Sequence, residues 1–186
     1  MKITMKMFKN LMMLAMCLVG VLCLGEKAYA AAVAYPANGV YSMRPQCAPG
    51  RELAVYNASK EKGANVVIWD INSHLPQSTN QRWRIERIGN GQWYKIFAEN
   101  TGFALDVEGA VAQSGTNLCV WPNGTQSNQL FMFFYCGEGY YIIQPNLQGA
   151  FAVDVSNALD ANNTNVLIWE RHDGANQKWK LVKLSD

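Results

Sequence analysis

Apolar and polar positions alternate in short runs along the centre of the chain: WYKIFAEN (93–100), FALDV (103–107), TNLCVWP (116–122) and QLFMFFYC (129–136). A period of two, carried by aromatic and β-branched residues, predicts half-buried strands. Turn formers separate the runs at NTG (100–102), QSGTN (113–117) and PNGTQSN (122–128). The same order returns downstream as YYIIQP (140–145), FAVDV (151–155), TNVLIW (164–169) and QKWKLVKL (177–184). No convincing amphipathic helix interrupts this pattern, and the polar stretch NASKEKGA (57–64) leaves room for one short turn. The expected fold class is all-β.

The runs are copies of one another. TNQRWRI (79–85), SNQLFMF (127–133) and ANQKWKL (175–181) place Asn80, Asn128 and Asn176 at intervals of 48 residues. VVIWD (66–70), LCVWP (118–122) and VLIWE (166–170) each carry a Trp, and ELAV (52–55), ALDV (104–107) and AVDV (152–155) precede them. From Ala54, Asp106 and Asp154 to the following Trp is 15 residues every time. Three landmarks in one order, three times, define a repeat of about 48 residues, with units near 39–88, 89–137 and 138–186.

Four strands in each unit make twelve. A unit this short cannot bury its own apolar face, whereas three units around a pseudo-threefold axis can close a small barrel and remove its exposed edges. That architecture is a β-trefoil. A propeller needs more units than the chain holds.

The first thirty residues stand apart from this pattern. Lys2, Lys6 and Lys9 precede an apolar run at 11–25, and AYA at 28–30 supplies the small residues of a cleavage site, so 1–30 reads as a secretory signal peptide. The run is 15 residues, short of the roughly 20 that a spanning helix needs, so no membrane insertion is expected after cleavage. Residues 31–38 read as a linker and 39–186 as the domain. Removal of the signal takes the net charge from +2 to −1, and no basic patch points to nucleic acid. The expected location is extracellular, where disulfides form. Cys47, Cys119 and Cys136 remain, enough for one bridge at most; Cys119 and Cys136 are nearest in sequence, and the pairing is open. Neither the cysteine spacing nor His74 and His172 suggests a metal site, and no cofactor is implied. NAS (57–59), NGT (123–125) and NNT (162–164) are glycosylation sequons, relevant only in a eukaryotic secretory pathway.

Gln81-Arg82-Trp83, Gln129-Leu130-Phe131 and Gln177-Lys178-Trp179 resemble the Gln-x-Trp repeats of ricin-type (R-type) lectins, over roughly Gly39 to Leu184. The aromatic of each phrase, Trp83, Phe131 and Trp179, is expected in the core. Phe in the second unit suits a position that needs bulk more than an indole N–H. The resemblance implies a β-trefoil that binds carbohydrate: an Asp takes two sugar hydroxyls, an aromatic stacks on the ring, an Asn completes the polar edge and a Gln supports it from behind. The chemistry is sound, because a carboxylate is a strong acceptor for paired hydroxyls and an Asn carries both donor and acceptor. By resemblance the second unit uses Asp106, Trp121, Asn128 and Gln129, and the third uses Asp154, Trp169, Asn176 and Gln177.

The first unit departs from the pattern. Trp69, Asn80 and Gln81 are present, but Ala54 stands where Asp is expected. The loss of a hydrogen bond to a charged group costs about 1.5–3 kcal/mol, so this site is expected to be degenerate. Its loop is also longer, with 11 residues from Trp69 to Asn80 against 7 in the other units. A polar residue often stands two places before the stacking aromatic in R-type sites; here those positions are Val67, Cys119 and Leu167, which puts the family's galactose preference in question. His172 and Asp173 lie just before Asn176, within reach of a third-unit ligand or simply in solvated loop.

No catalytic motif of the G-x-S-x-G, H-E-x-x-H or P-loop type is present. Asp106 and Asp154 belong to different units and are not expected to share one sugar as a glycosidase pair must. The expected function is therefore a non-enzymatic, secreted glycan-binding lectin. Alternatives are an accessory subunit that targets a separate enzyme or toxin to glycans, and a trefoil that binds protein as inhibitors do.

Overall fold

A computed structural model describes residues 35–186. The signal-peptide reading of 1–30 lies outside the described residues. Twelve strands follow in order: β1 (Gly39–Pro45), β2 (Arg51–Val55), β3 (Ala64–Asp70), β4 (Trp83–Arg87), β5 (Tyr94–Ala98), β6 (Ala104–Val107), β7 (Leu118–Trp121), β8 (Phe131–Gly137), β9 (Tyr140–Pro145), β10 (Phe151–Val155), β11 (Thr164–Glu170) and β12 (Lys178–Ser185). Every expected strand of the second and third units forms. The only helical pieces among the described residues are three-residue 3-10 turns.

Six strands close a barrel through the antiparallel pairs β1–β4, β4–β5, β5–β8, β8–β9, β9–β12 and β12–β1. Closure leaves none of these six with a free edge. The other six form hairpins, one per repeat: β2–β3, β6–β7 and β10–β11. The inner strands of the hairpins meet at one end of the barrel, where β3 pairs with both β7 and β11 and Asn117 bridges Leu167. This is the β-trefoil.

Threefold-related positions fill the core. Leu53, Leu105 and Val153, then Val55, Val107 and Val155, are buried at equivalent points of the three hairpins. Trp83, Phe131 and Trp179 are fully buried beneath them. The two indoles do more than fill space: Trp83 Nε1 donates to the Leu53 carbonyl and Trp179 Nε1 to the Val153 carbonyl, both at 2.9 Å. Phe131 keeps the bulk and gives up that bond. Residues just before β1 also pack on the barrel, since the Tyr94 hydroxyl donates to the Pro36 carbonyl and the Arg87 amide to Asn38 Oδ1.

A ring of side-chain amides lies where the hairpins converge. Asn65 Nδ2 donates to Asn165 Oδ1 (2.9 Å), Asn165 Nδ2 to Asn117 Oδ1 (3.0 Å) and Asn117 Nδ2 back to Asn65 Oδ1 (2.9 Å). Each repeat supplies one member and the cycle runs one way round.

Candidate functional site

Hairpin register places the carboxylate and the aromatic together. On β6–β7, Asp106 pairs with Cys119 and Ala104 with Trp121. On β10–β11, Asp154 pairs with Leu167 and Ala152 with Trp169. Side chains two apart on a strand share a face, so each Asp and its Trp project from the same side of one hairpin. The Asn-Gln phrase sits in a 3-10 turn just before the next barrel strand, at Ser127–Gln129 and Ala175–Gln177. That turn brings Asn and Gln up to the hairpin from the same repeat.

The structure brings together all four expected residues in both units. Asn128 Nδ2 donates to Asp106 Oδ1 (2.8 Å) and Gln129 Nε2 to Asp106 Oδ2 (2.7 Å). In the third unit, Asn176 Nδ2 (2.8 Å) and Gln177 Nε2 (2.9 Å) both donate to Asp154 Oδ2, and Asp154 Oδ1 stays open for a ligand. The Gln has a second task. Gln129 Oε1 accepts from the Gly124 amide, and Gln177 Oε1 from the amides of His172 and Asp173. One side chain thus ties the carboxylate to the loop that follows the Trp.

The two Asn side chains leave only their oxygens free. Asn128 Nδ2 also donates to the Val107 carbonyl, and Asn176 Nδ2 points to the Val155 carbonyl. Both amide hydrogens are committed to protein, which leaves Oδ1. Asp and Asn then present oxygen acceptors only, an edge that suits hydroxyl donors. Trp121 and Trp169 are 43% and 46% exposed, against 6% and 3% for Asp106 and Asp154. An open aromatic plate beside a recessed acceptor pair fits a polyol ring with an apolar face.

The pockets differ in size and lining. The second-unit pocket has a volume of about 350 Å³, and Glu108 and Gly63 join its walls. The third has about 210 Å³ and includes His172. His172 Nδ1 accepts from the Gly174 amide, and Nε2 faces Asp154 Oδ2 at 3.6 Å. Burial pushes both carboxyl groups above the ordinary carboxylate range, and the hydrogen bonds from Gln and Asn pull them part of the way back. His172 adds to that pull at Asp154. Cys119 lines the second pocket as a free thiol; burial, then the charges of Asp106 and Glu108, push it up to about 12. Cys47 and Cys136 are likewise unpaired. Among the described residues no His, Cys, Asp and Glu cluster could hold a metal.

The first unit keeps a pocket of about 230 Å³, lined by Ala54, Val67, Trp69, Tyr56 and Asn80. Asn80 Nδ2 donates to the Val55 carbonyl as its counterparts do, but no carboxylate stands beside it. The repeat holds one two residues earlier on the same face of β2. Glu52 is fully buried and accepts from the amides of Asn72 (3.0 Å) and Ser73 (2.6 Å) and from Ser73 Oγ (2.9 Å). Asn72 follows Trp69 by the same three residues that separate Gly124 from Trp121 and His172 from Trp169. The loop amide that bonds to Gln elsewhere bonds to Glu52 here, and Gln81 Oε1 is left buried without a partner. The longer loop thus carries its own anchor. Glu52 stands in the register of Ala104 and Ala152, which was its signal in the sequence.

Each hairpin is also bonded by a neighbouring repeat, and at the second unit that neighbour enters the pocket wall. The Gly63 amide donates to the Val120 carbonyl and the Gly115 amide to the Ile168 carbonyl, both at 2.8 Å; Asn163 does the same to Ile68 at 3.0 Å. Gly63 has φ +80°, and a Cβ there would stand 3.3 Å from the Trp121 ring. Glycine satisfies both the left-handed backbone and the close approach.

A threefold barrel with an aromatic plate and an acceptor edge at the rim of its repeats defines a lectin-type trefoil. The sequence matches the family model described as ricin-type beta-trefoil lectin domain-like over residues 33–121 and 127–186. The chain belongs to that family. Among solved structures, a designed threefold-symmetric protein, ThreeFoil, is 34% identical with a TM-score of 0.72, over 78% of this chain and 99% of that one. An exo-β-1,3-galactanase from Clostridium thermocellum is 28% identical with a TM-score of 0.71; the match covers 81% of this chain and 31% of the galactanase, so this chain spans less than a third of that enzyme. A ricin B-like lectin of Macrolepiota procera, solved with lactose, shares the fold at 17% identity and a TM-score of 0.63, over 80% of this chain and 98% of that one. A search of curated proteins finds no match.

Proposed function

We propose that this protein is a secreted lectin that binds glycans without catalysis, through Asp106, Trp121 and Asn128 in the second repeat and Asp154, Trp169 and Asn176 in the third. The observation that carries this reading is the shared geometry of the two pockets. In each, a carboxylate is fixed by Asn and Gln beside an exposed Trp. Such shallow sites bind weakly one at a time, and two on one rigid body gain avidity on clustered glycans. Galactose-type sugars are the proposed ligands, by family and by likeness to an exo-β-1,3-galactanase. That likeness also favours a second reading, in which the trefoil delivers a separate enzyme to its polysaccharide. Two carboxylates on different hairpins, each tied into its own pocket, do not form a hydrolytic pair.

The test is a glycan array followed by calorimetry on the mature chain. Wild type is expected to bind galactose-terminated glycans, and the double variant Asp106→Ala/Asp154→Ala to bind none. Unchanged binding in the double variant would refute the site assignment. Absence of any glycan binding in wild type would refute the lectin reading.

A further inference from the structure

The second pocket differs from the others in the residue that reaches it from the preceding repeat. Lys62, Ser114 and Asn162 occupy equivalent places, each just before the residue whose amide bonds to the next hairpin. Ser114 Oγ accepts from the Glu170 amide at 2.9 Å, and Asn162 Oδ1 accepts from the Asp70 amide at 2.8 Å. In both cases the donor is the residue after the stacking Trp. After Trp121 comes Pro122, which has no N–H to satisfy. The place therefore needs no acceptor, and it is filled by a lysine whose ammonium lies 5.6 Å from the centre of the Trp121 ring. Lys62 is exposed.

Strand order fixes which side of the ring this charge occupies. β7 lies between β6, which carries Asp106, and β3, which Lys62 precedes. The backbones carrying Asp106 and Lys62 thus lie on opposite sides of β7, two strand spacings or about 10 Å apart, and the Lys62 ammonium lies over the Trp121 ring. A pyranose on Trp121 with hydroxyls on Asp106 turns its far edge toward Lys62. Glu108 lines the pocket beside Asp106, so the negative charge gathers on one side and the ammonium stands on the other. The third pocket has neutral Ser114 in this place.

Resting on the lectin reading above, we propose that the second site selects pyranoses bearing an anionic substituent, a carboxylate or a sulfate, on the edge opposite the hydroxyls held by Asp106, with Lys62 as the specificity-determining residue. Exposed ion pairs are worth up to about 1 kcal/mol, which corresponds to an affinity preference of about two- to fivefold over the neutral sugar and a preference weakened by salt.

The experiment uses the mature chain with Asp154→Ala, which leaves the second site as the binder, titrated with galactose, galacturonate and 3-O-sulfogalactose at low and high salt. Tighter binding of either anionic sugar, lost at high salt, brought to parity by Lys62→Gln and kept by Lys62→Arg, supports the proposal; the two anionic probes separate carboxylate from sulfate. Binding of galactose with no anionic preference, or a preference that survives Lys62→Gln, overturns it and leaves the lectin reading intact. If wild type binds glycans while Asp154→Ala binds none of the three probes, the second site is not a site and the proposal falls. Failure of wild type to bind any glycan overturns both.

Discussion

Burial holds the Asp106 and Asp154 carboxyl groups above the ordinary carboxylate range, while their amide partners stabilise the charged form. The balance has a sign. As pH rises past about 3.9 the unfolded chain ionises these groups first, so the stability they contribute is present at low pH and lost as pH climbs through their raised folded values. At neutral pH the two carboxylates work against the fold. Asp106→Ala and Asp154→Ala remove that burden but leave the Asn and Gln donors without this partner, so each is expected to cost no more than about 1–3 kcal/mol, read by denaturant melts, while abolishing binding. Ala54 already shows a repeat that folds without the group. Glycan binding through these groups is expected to carry the opposite dependence. Protonation removes the strongest acceptor, so affinity is expected to fall as pH drops from 7 toward 4, and calorimetry that finds constant affinity over that range would count against the assigned role. The Asp-Trp-Asn spacing was legible in the sequence because it repeats. The direction of the Asn amide was not, since it is fixed by the Val107 and Val155 carbonyls, which only the folded hairpins bring within reach.

The repeated elements show where drift has been absorbed. The hairpins, the barrel strands and the buried Gln-x-aromatic follow from the period-two pattern and the repeat spacing alone. The first repeat's missing carboxylate reads from Ala54, and Glu52 in the register of Ala104 and Ala152 is visible too, but the bonds that Glu52 makes are not. Glu52 looks like a solvent-facing end of ELAV until the long loop folds over it and offers it backbone amides. Glu52→Ala would leave three donors of Asn72 and Ser73 without that partner, and is expected to cost at least about 2 kcal/mol with glycan affinity at the second and third sites retained; a melt shift near zero would show that the loop does not depend on this anchor. With no carboxylate on its rim, the first pocket is expected to stay empty at sugar concentrations that fill the other two. Calorimetry should then count two sites per chain, and one after Asp106→Ala. The indole bonds are another hidden element: bulk alone explains Phe131, but Trp83→Phe should cost about 1 kcal/mol for its lost bond to Leu53.

Across the whole molecule, the three repeats are joined at the axis more strictly than at the rim. Rim positions hold Lys62, Ser114 and Asn162, whereas the axial amides are Asn in all three repeats. Those asparagines lie four residues before each Trp, a spacing visible in the sequence whose meaning depends on three chains of contact meeting at one point. Asn117→Ala removes a donor and an acceptor from a closed cycle and is expected to cost about 1–3 kcal/mol, with melting curves as the check. The cycle links residues 52, 48 and 100 positions apart, so it closes only once every repeat has docked. Contacts that form after the rate-limiting step act on escape from the native state and leave its formation alone. Asn117→Ala should therefore raise the unfolding limb of a chevron while the folding limb stays put. The ring works as a latch: it sets how long a folded molecule lasts between openings, and with it the survival of the protein among proteases fast enough to cut it before it recloses.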